Sequence, residues 1–123
     1  MSEVVAEPLE ATVDVGDRGT VDAGTGIATL SVTVSCNKRS FVYSEGSLRQ
    51  LRDEIFVARG YLWISGFCAP DAPLELSVEV DTDTSVIFGA GPATARRGYV
   101  EGYAGWRDGF STYEDVTIAI SLV

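Results

Sequence analysis

Residues 28–36 read Ala-Thr-Leu-Ser-Val-Thr-Val-Ser-Cys, in which every second side chain is apolar and the others are serine or threonine. Successive side chains of a β-strand point to opposite faces of the sheet, so a period of two predicts a strand with one buried face. The same alternation recurs at 74–80 and at 116–122, and a shorter form of it occupies 11–15. These four stretches predict a protein built mainly of β-strands.

The middle of the chain is less regular, and two interpretations of it stay open. In the favoured one, a strand begins at 41–43 and extends toward Gln50, and two further strands occupy 55–58 and 61–68. In the other, a helix covers 47–59. The residues that recur there at helical spacing are Leu48, Leu51, Ile55 and Ala58.

Alternation also assigns faces and boundaries in the second half of the chain. Within 61–68 it places Leu62, Ile64 and Cys68 on one face and Tyr61, Trp63 and Phe67 on the other. Two short strands are predicted at 85–88 and 93–100, divided by glycines and a proline.

Turn residues separate the strands at short intervals. Residues 14–26 hold four glycines and three aspartates, and 69–73 hold two prolines and an aspartate. Short strands without helices between them are typical of antiparallel sandwiches and barrels. The chain has 123 residues, of which 46% are apolar, and this suits one domain with a substantial core. We predict an all-β fold, a single Ig-like antiparallel β-sandwich of about 7–9 strands over 9–123, preceded by a tail at 1–8.

Composition excludes most catalytic and nucleic-acid functions. The chain has no histidine, the commonest general base, and no Gly-x-Ser-x-Gly motif. Its net charge of −9 repels phosphate backbones, and no apolar run reaches the ~18–20 residues of a membrane helix. The acidic clusters at 14–17 and 81–85 lack the spacing of a calcium loop, so we interpret them as solvated turns. We therefore predict no enzyme activity, cofactor, metal, nucleic-acid partner or membrane insertion.

The two cysteines, Cys36 and Cys68, each end an apolar strand on its predicted inward face. Facing strands of a sandwich would join them in an inter-sheet disulfide that stabilises the fold by about 3–4 kcal/mol. Two buried free thiols in a cytosolic protein are the alternative, and a redox pair is disfavoured because Cys-x-x-Cys is absent. The disulfide predicts a secreted, extracellular protein whose leader is absent from this chain.

The surroundings of the cysteines resemble a group of small secreted actinobacterial Ig-like domains of unknown function. The similarity lies in the alternation into Cys36, a second cysteine about thirty residues later after Ala-Arg-Gly-Tyr at 58–61, and the stretch Phe-Gly-Ala-Gly-Pro-Ala-Thr-Ala at 88–95. It covers roughly residues 10–123. The resemblance implies an Ig-like sandwich with one disulfide, secretion, and no assigned catalytic residue. The aromatic segment at 99–113 departs from the pattern.

The segment 96–113 is the candidate contact surface. Five aromatic residues recur there at spacings of 4, 3, 4 and 3, and a glycine precedes each of the first four. Because the glycines disfavour a helix, we expect a strand leading into an aromatic loop. Such rings beside arginines suit stacking on sugars or anchoring a protein, and packing onto the sandwich is the alternative. The candidate binding residues are Tyr99, Tyr103, Trp106, Arg107, Phe110 and Tyr113.

These observations predict a non-catalytic exported binding or structural module that contacts a protein or carbohydrate through 96–113. Two other classes stay open. One is a small-molecule carrier with an apolar cleft between its sheets. The other is a self-assembling surface or filament subunit whose edge strands or N-terminal tail pair with neighbouring copies.

Replacing Trp106 with alanine tests the contact surface. We expect Trp106→Ala to weaken partner binding more than tenfold while the thermal unfolding midpoint stays within about 2 °C of wild type. Binding is measured by calorimetry and unfolding by circular dichroism. Unfolding at a much lower temperature would place the ring in the core and remove the proposed site.

Overall fold

Seven β-strands form the regular structure of the part of the chain that the structure describes. The computed structural model describes the backbone of residues 10–53, 55–103 and 107–123, and their side chains except for 97–114. The strands are β1 (Ala11–Val21), β2 (Ala28–Cys36), β3 (Ser40–Leu51), β4 (Val57–Cys68), β5 (Leu74–Val80), β6 (Gly91–Tyr103) and β7 (Arg107–Leu122). The predicted tail at 1–8 lies outside the described residues. Across these described ranges, no helix has the length and apolar character needed to cross a membrane.

All seven strands belong to one hydrogen-bonded sheet, in the order β4-β3-β6-β7-β1-β2-β5. Neighbouring strands are antiparallel except for β1 and β7, which run parallel where Arg18 to Val21 align with Ala119 to Leu122. The register of β1 against β2 shifts between Val15 and Gly19, which marks an irregularity of the bulge type. Beyond this shift β1 pairs with β7 as well as with β2, so it links two parts of the sheet.

The sheet folds over on itself. β2 and β4 lie near opposite ends of the strand order, yet Cys36 of β2 and Cys68 of β4 form a disulfide with their Cα atoms 6.2 Å apart. One layer therefore contains β3, β4 and β6, the other contains β1, β2 and β5, and β7 connects them. This confirms the predicted all-β sandwich and its disulfide, with the two layers joined in a continuous sheet.

The core lies between the layers and receives side chains from every strand. In β2 the apolar positions predicted from alternation are buried, with Leu30, Val32 and Val34 each at most 2% exposed. Three polar side chains are also buried, those of Ser40, Ser44 and Gln50. Gln50 of β3 donates a hydrogen bond from Nε2 to the Gly89 carbonyl at 2.8 Å and accepts one from the Gly89 N–H at 2.9 Å. Both the NH₂ group and the carbonyl oxygen of the Gln50 amide are hydrogen-bonded, so Gln50 anchors the β5–β6 loop at little desolvation cost.

The two edges of the sheet meet where β4 approaches the end of β5. Gly60 packs against the backbone carbonyl of Asp81 so closely that a Cβ atom has no room there. A Cβ atom on Gly66 would lie only 2.8 Å from Cδ2 of Leu74. The Asp83 N–H donates a hydrogen bond to the Arg59 carbonyl at 2.8 Å. Glycine is therefore required in β4 for close approach of another strand.

The predicted strands at 28–36 and 74–80 are confirmed, and those at 11–15, 41–50, 93–100 and 116–122 are confirmed as parts of longer strands. The helix at 47–59 is wrong. Its proposed apolar face does not exist, because Leu48 is fully buried whereas Leu51 is 66% exposed and Ile55 is 80% exposed. Cross-strand pairing of β3 with β4 replaces it.

Two further strand predictions need correction. The candidate strands at 55–58 and 61–68 form one element, because β4 begins at Val57 and continues to Cys68. The strand at 85–88 is wrong, since these residues lie in the β5–β6 loop outside any strand. Phe88 is nevertheless buried, so the loop contributes a core side chain without joining the sheet.

Removing the disulfide should destabilise the fold without changing its architecture. The bridge closes a loop with a sequence separation of 32, for which loop entropy predicts a loss of about 3–4 kcal/mol in the free energy of unfolding. We expect this loss in the double variant Cys36→Ala/Cys68→Ala, measured by guanidinium denaturation. Reduced wild-type protein serves as the control for the cavities that alanine leaves. A loss below 1 kcal/mol in both would contradict the role assigned to the bridge.

Candidate functional site

The two outer faces of the sandwich differ in chemistry. The outer face of β1, β2 and β5 carries serine, threonine and acidic side chains and no aromatic residue. Its exposed members include Thr12, Asp14, Ser31, Glu75 and Glu79. Most of the exposed aromatic side chains of the described residues lie instead on the outer face of β3 and β4. The asymmetry identifies this second face as the candidate contact surface.

Four side chains form what we call the aromatic ridge: Phe41 of β3 and Tyr61, Trp63 and Phe67 of β4. They are 37%, 47%, 60% and 75% exposed, respectively. Strand alternation produces the row, because the intervening Leu62, Ile64 and Cys68 point into the core. The rings of Phe41 and Phe67 contact edge to face with centroids 5.2 Å apart, and those of Tyr61 and Trp63 lie side by side at 6.0 Å.

An arginine groove begins level with Tyr61 and extends beyond that end of the ridge, across β3, β4 and β6. It has a volume of about 550 Å³, and its lining includes Arg49, Arg59 and Arg96 together with Asp115. Arg49 and Arg59 are directly opposite in the β3–β4 register, an arrangement in which like charges destabilise a sheet. The Arg59 guanidinium also lies 6.0 Å from the centre of the Tyr61 ring, which joins groove and ridge.

Ion pairs partly neutralise this groove. Arg96 donates to both carboxylate oxygens of Asp115, at 2.8 and 3.2 Å, and this hydrogen bonding holds the Asp115 pKa below its ordinary value. A lowered folded-state pKa means that the pair stabilises the fold above the unfolded pKa and loses this effect as the pH falls through the folded pKa. Both side chains are exposed, so the contribution is small. Arg59 lies 3.6 Å from Asp83, and Arg49 has no ion pair within the described residues.

An acidic groove borders the ridge on the opposite side, where β4 meets β5. Its volume is about 340 Å³, and Tyr61 and Trp63 form one wall of it. The remaining lining residues are Glu79, Asp81, Thr82 and Asp83. The Asp81 carboxylate accepts a hydrogen bond from the Thr82 N–H at 2.8 Å, which orders the turn after β5. The acidic groove thus flanks Tyr61 and Trp63 on the β5 side, whereas β3 places Ser47 and Glu45 opposite them on the other side.

The residues predicted as the contact surface lie in the β6–β7 pair. Tyr99 falls in β6, where a strand was predicted. Tyr103 also falls in β6, and Arg107, Phe110 and Tyr113 fall in β7, so these four positions are in strands where we expected a loop. Trp106 lies outside the described residues, as do the side chains of 97–114. The backbone register places Tyr103 opposite Phe41. That these aromatic side chains form a contact surface stays a prediction.

Sequence reasoning assigned Tyr61, Trp63 and Phe67 to one face but did not identify that face as a site. The available signal was the outer face of 61–68, which holds large aromatics where other strands hold serine and threonine. The arginine groove had no local signal, because Arg49, Arg59 and Arg96 come together only through the pairing of three strands. Long-range register was the missing information.

Two further kinds of site were considered among the described residues, a metal site and a pocket between the layers. They contain no cluster of three or more histidine, cysteine, aspartate or glutamate side chains arranged to hold a metal ion. An apolar cavity between the layers, lined by residues including Val13, Val32 and Leu62, measures about 10 Å³. Ligand pockets usually measure about 300–1,000 Å³, so this cavity gives no support to the small-molecule carrier.

Comparison with protein families finds no match, and comparison with curated proteins finds none either. Among solved structures, the chain is similar to AggA, the major subunit of aggregative adherence fimbriae type I from Escherichia coli. The two share 11% sequence identity with a TM-score of 0.49, over 98% of this chain and 100% of the other. A similarity at this level carries no function from one protein to the other. The resemblance to actinobacterial secreted domains stays a prediction.

Replacing neighbouring residues of β4 distinguishes the ridge from the core. We expect Trp63→Ala to change the free energy of unfolding by less than about 1 kcal/mol, because the indole is mostly exposed. The matched control Leu62→Ala removes a buried side chain and should cost about 2–5 kcal/mol. Urea denaturation measures both. Equal losses in the two variants would mean that Trp63 belongs to the fold and not to a contact surface.

Proposed function

We propose that this protein is a non-catalytic protein-binding module whose contact surface is the aromatic ridge. The observation that carries the proposal is the exposure of Phe41, Tyr61, Trp63 and Phe67 together on one face, opposite a face of hydroxyl and acidic side chains. Contiguous exposed apolar patches on soluble proteins mark interaction sites. Single exposed aromatic residues scattered over a surface are common and do not indicate an interaction site.

The size of the ridge suits a protein interface. Taking about 150–250 Å² for each aromatic side chain, the exposed fractions of the four rings amount to about 300–550 Å². A stable interface buries about 800 Å² on each partner, so the ridge supplies roughly half of one side. The flanking grooves add polar surface around an apolar centre, which is the usual arrangement of an interface.

The residue types also favour a protein partner. Interface residues with the largest energetic effect are enriched in tryptophan, tyrosine and arginine, and the ridge and its arginine groove contain all three. Leu51 lines the groove and is exposed, and Ile55 and Phe56 are exposed at the adjacent β3–β4 turn. These aliphatic and phenyl groups offer a sugar no hydrogen bonds, so a carbohydrate partner is the less favoured alternative.

The segment 96–113 remains a proposed part of the same surface. β3 pairs with β4 on one side and with β6 on the other, and Phe41 aligns with Phe67 in the first pair and with Tyr103 in the second. The backbone of the predicted segment is therefore continuous with the aromatic ridge. This continuity supports one extended contact surface across β4, β3 and β6.

Self-assembly as a surface or filament subunit is a second candidate function. Within the described part of the chain, Ala11 to Val15 pair with β2 alone, whereas Arg18 to Val21 pair on both sides. A strand segment with one unpaired side accepts another strand by main-chain hydrogen bonds. The disulfide between Cys36 and Cys68 supports export to an oxidising compartment, and we propose an extracellular location.

Photo-crosslinking in the native host tests the proposed function. We expect benzoylphenylalanine in place of Trp63 to give one or a few adducts of discrete mass. The matched control places the same group at Ser31, which is exposed on the opposite outer face, and should give none. Adding Tyr61→Ala to the protein that carries benzoylphenylalanine at position 63 should reduce the yield of these adducts. Equal crosslinking from both positions, or none from position 63, would overturn the aromatic ridge as a contact surface.

A further inference from the structure

Two arginines face each other directly across the β3–β4 pair, on the outer face of the sandwich. Arg49 of β3 aligns with Arg59 of β4, and both residues are exposed. The Cβ atoms of directly opposite residues in an antiparallel pair lie about 4.5–5.5 Å apart, and like charges at this separation destabilise a sheet. An anion that binds both guanidinium groups at once would offset their repulsion.

The surroundings of this pair supply more hydrogen-bond donors. Arg96 of β6 lies diagonally across from Arg49, because the register aligns Arg49 with Thr94 and Ser47 with Arg96. The Ser47 and Thr94 side chains line the same groove as the arginines, and its volume is about 550 Å³. Guanidinium and hydroxyl groups both donate hydrogen bonds to anionic oxygens. The groove therefore combines the donors that an oxyanion needs with space to hold one.

The carboxylates near the groove leave part of this positive charge uncompensated. Asp115 binds Arg96 at 2.8 and 3.2 Å. Asp83 lies 3.6 Å from Nε of Arg59, which is longer than the ~2.7–2.9 Å of a charge-assisted hydrogen bond. Arg49 has no ion pair among the described side chains. Three guanidinium groups and one carboxylate line the groove, so it is a positive site on a chain of net charge −9.

We propose that the arginine groove binds an oxyanion of the sulfate or phosphate type between Arg49 and Arg59. Each guanidinium group presents its N–H donors in a planar fork that matches two oxygens of such a group. Thr94, the neighbour of Arg49 on its other side, supplies a hydroxyl donor. Chloride has one charge and no separate oxygens, so it satisfies fewer of these donors. This site is independent of the proposed function, because it does not require the aromatic ridge to bind a partner.

A titration with sodium sulfate tests the site on the full chain with its disulfide intact. Sodium sulfate replaces sodium chloride at constant ionic strength, and the arginine Nε–Hε signals are followed by NMR. Each signal is assigned by its loss in the corresponding arginine-to-glutamine variant. We expect saturable shifts of the Arg49 and Arg59 signals and no shift of the Arg39 signal. Arg39 is exposed just before β3, and ten residues of strand place it about 30 Å from Arg49.

Charge variants of the groove should change sulfate binding in opposite directions. Arg49→Gln should weaken it at least tenfold, because one of the two charged forks is lost. Asp115→Asn should strengthen it about threefold, since it removes the carboxylate that lines the groove. The matched control Arg39→Gln makes the same change in net charge as Arg49→Gln and should leave binding unchanged. Circular dichroism should show a wild-type unfolding midpoint for all three variants.

The absence of a saturable shift, equal shifts of the Arg39 and Arg49 signals, or equal effects of Arg39→Gln and Arg49→Gln would each overturn the oxyanion site. Weaker binding by Asp115→Asn would overturn it too. Inorganic phosphate and phenyl phosphate then distinguish two sources of the anion. Equal affinities support a free ion, and tighter binding of phenyl phosphate supports a group carried on a larger molecule that packs beside Tyr61. Crosslinking from position 63 is a separate measurement, so failure of this site is distinguishable from failure of the proposed function.

Discussion

The approach of β4 to the end of β5 is the contact on which the rest of the structure depends. It is possible because Gly60 has no side chain where the Asp81 carbonyl passes, and the disulfide holds the other end of β4 against β2. Together these contacts bring the two edges of a single sheet into proximity and enclose the core. The same closure forms the acidic groove beside Tyr61 and Trp63, so the constraint that completes the fold also builds part of the surface.

Much of the fold follows from local pattern. The alternation at 28–36 defines β2 residue by residue, since each side of the pleat is chemically uniform. The positions of Cys36 and Cys68 on inward faces were enough to predict the bridge, because strands that face each other across a core bring such residues within disulfide distance. Periodicity succeeds where burial on one face is the main constraint on the sequence.

Local pattern fails where pairing between strands decides the outcome. Leu48, Leu51, Ile55 and Ala58 have helical spacing, but the twelve-residue register of β3 with β4 outweighs a weak helical preference. Sequence reasoning missed the aromatic ridge for a related reason. The glycine and aromatic repeats predicted a contact surface at 96–113. The surface around the aromatic ridge is instead assembled from β4 and the grooves that β3, β5 and β6 form near it. No short window of sequence contains that information.

The parallel pairing of β1 with β7 has a consequence for how the chain folds. Arg18 and Ala119 are partners although they lie roughly one hundred residues apart, so this pair must close a very long loop. Long-range pairing of this kind is typical of slow folding, over milliseconds to seconds. Hairpins such as β3–β4 join near neighbours and need no such search. If the β1–β7 pair forms last, one side of β1 and one side of β7 stay unpaired until that step. A chaperone or a neighbouring chain can bind these unpaired strand edges before they close.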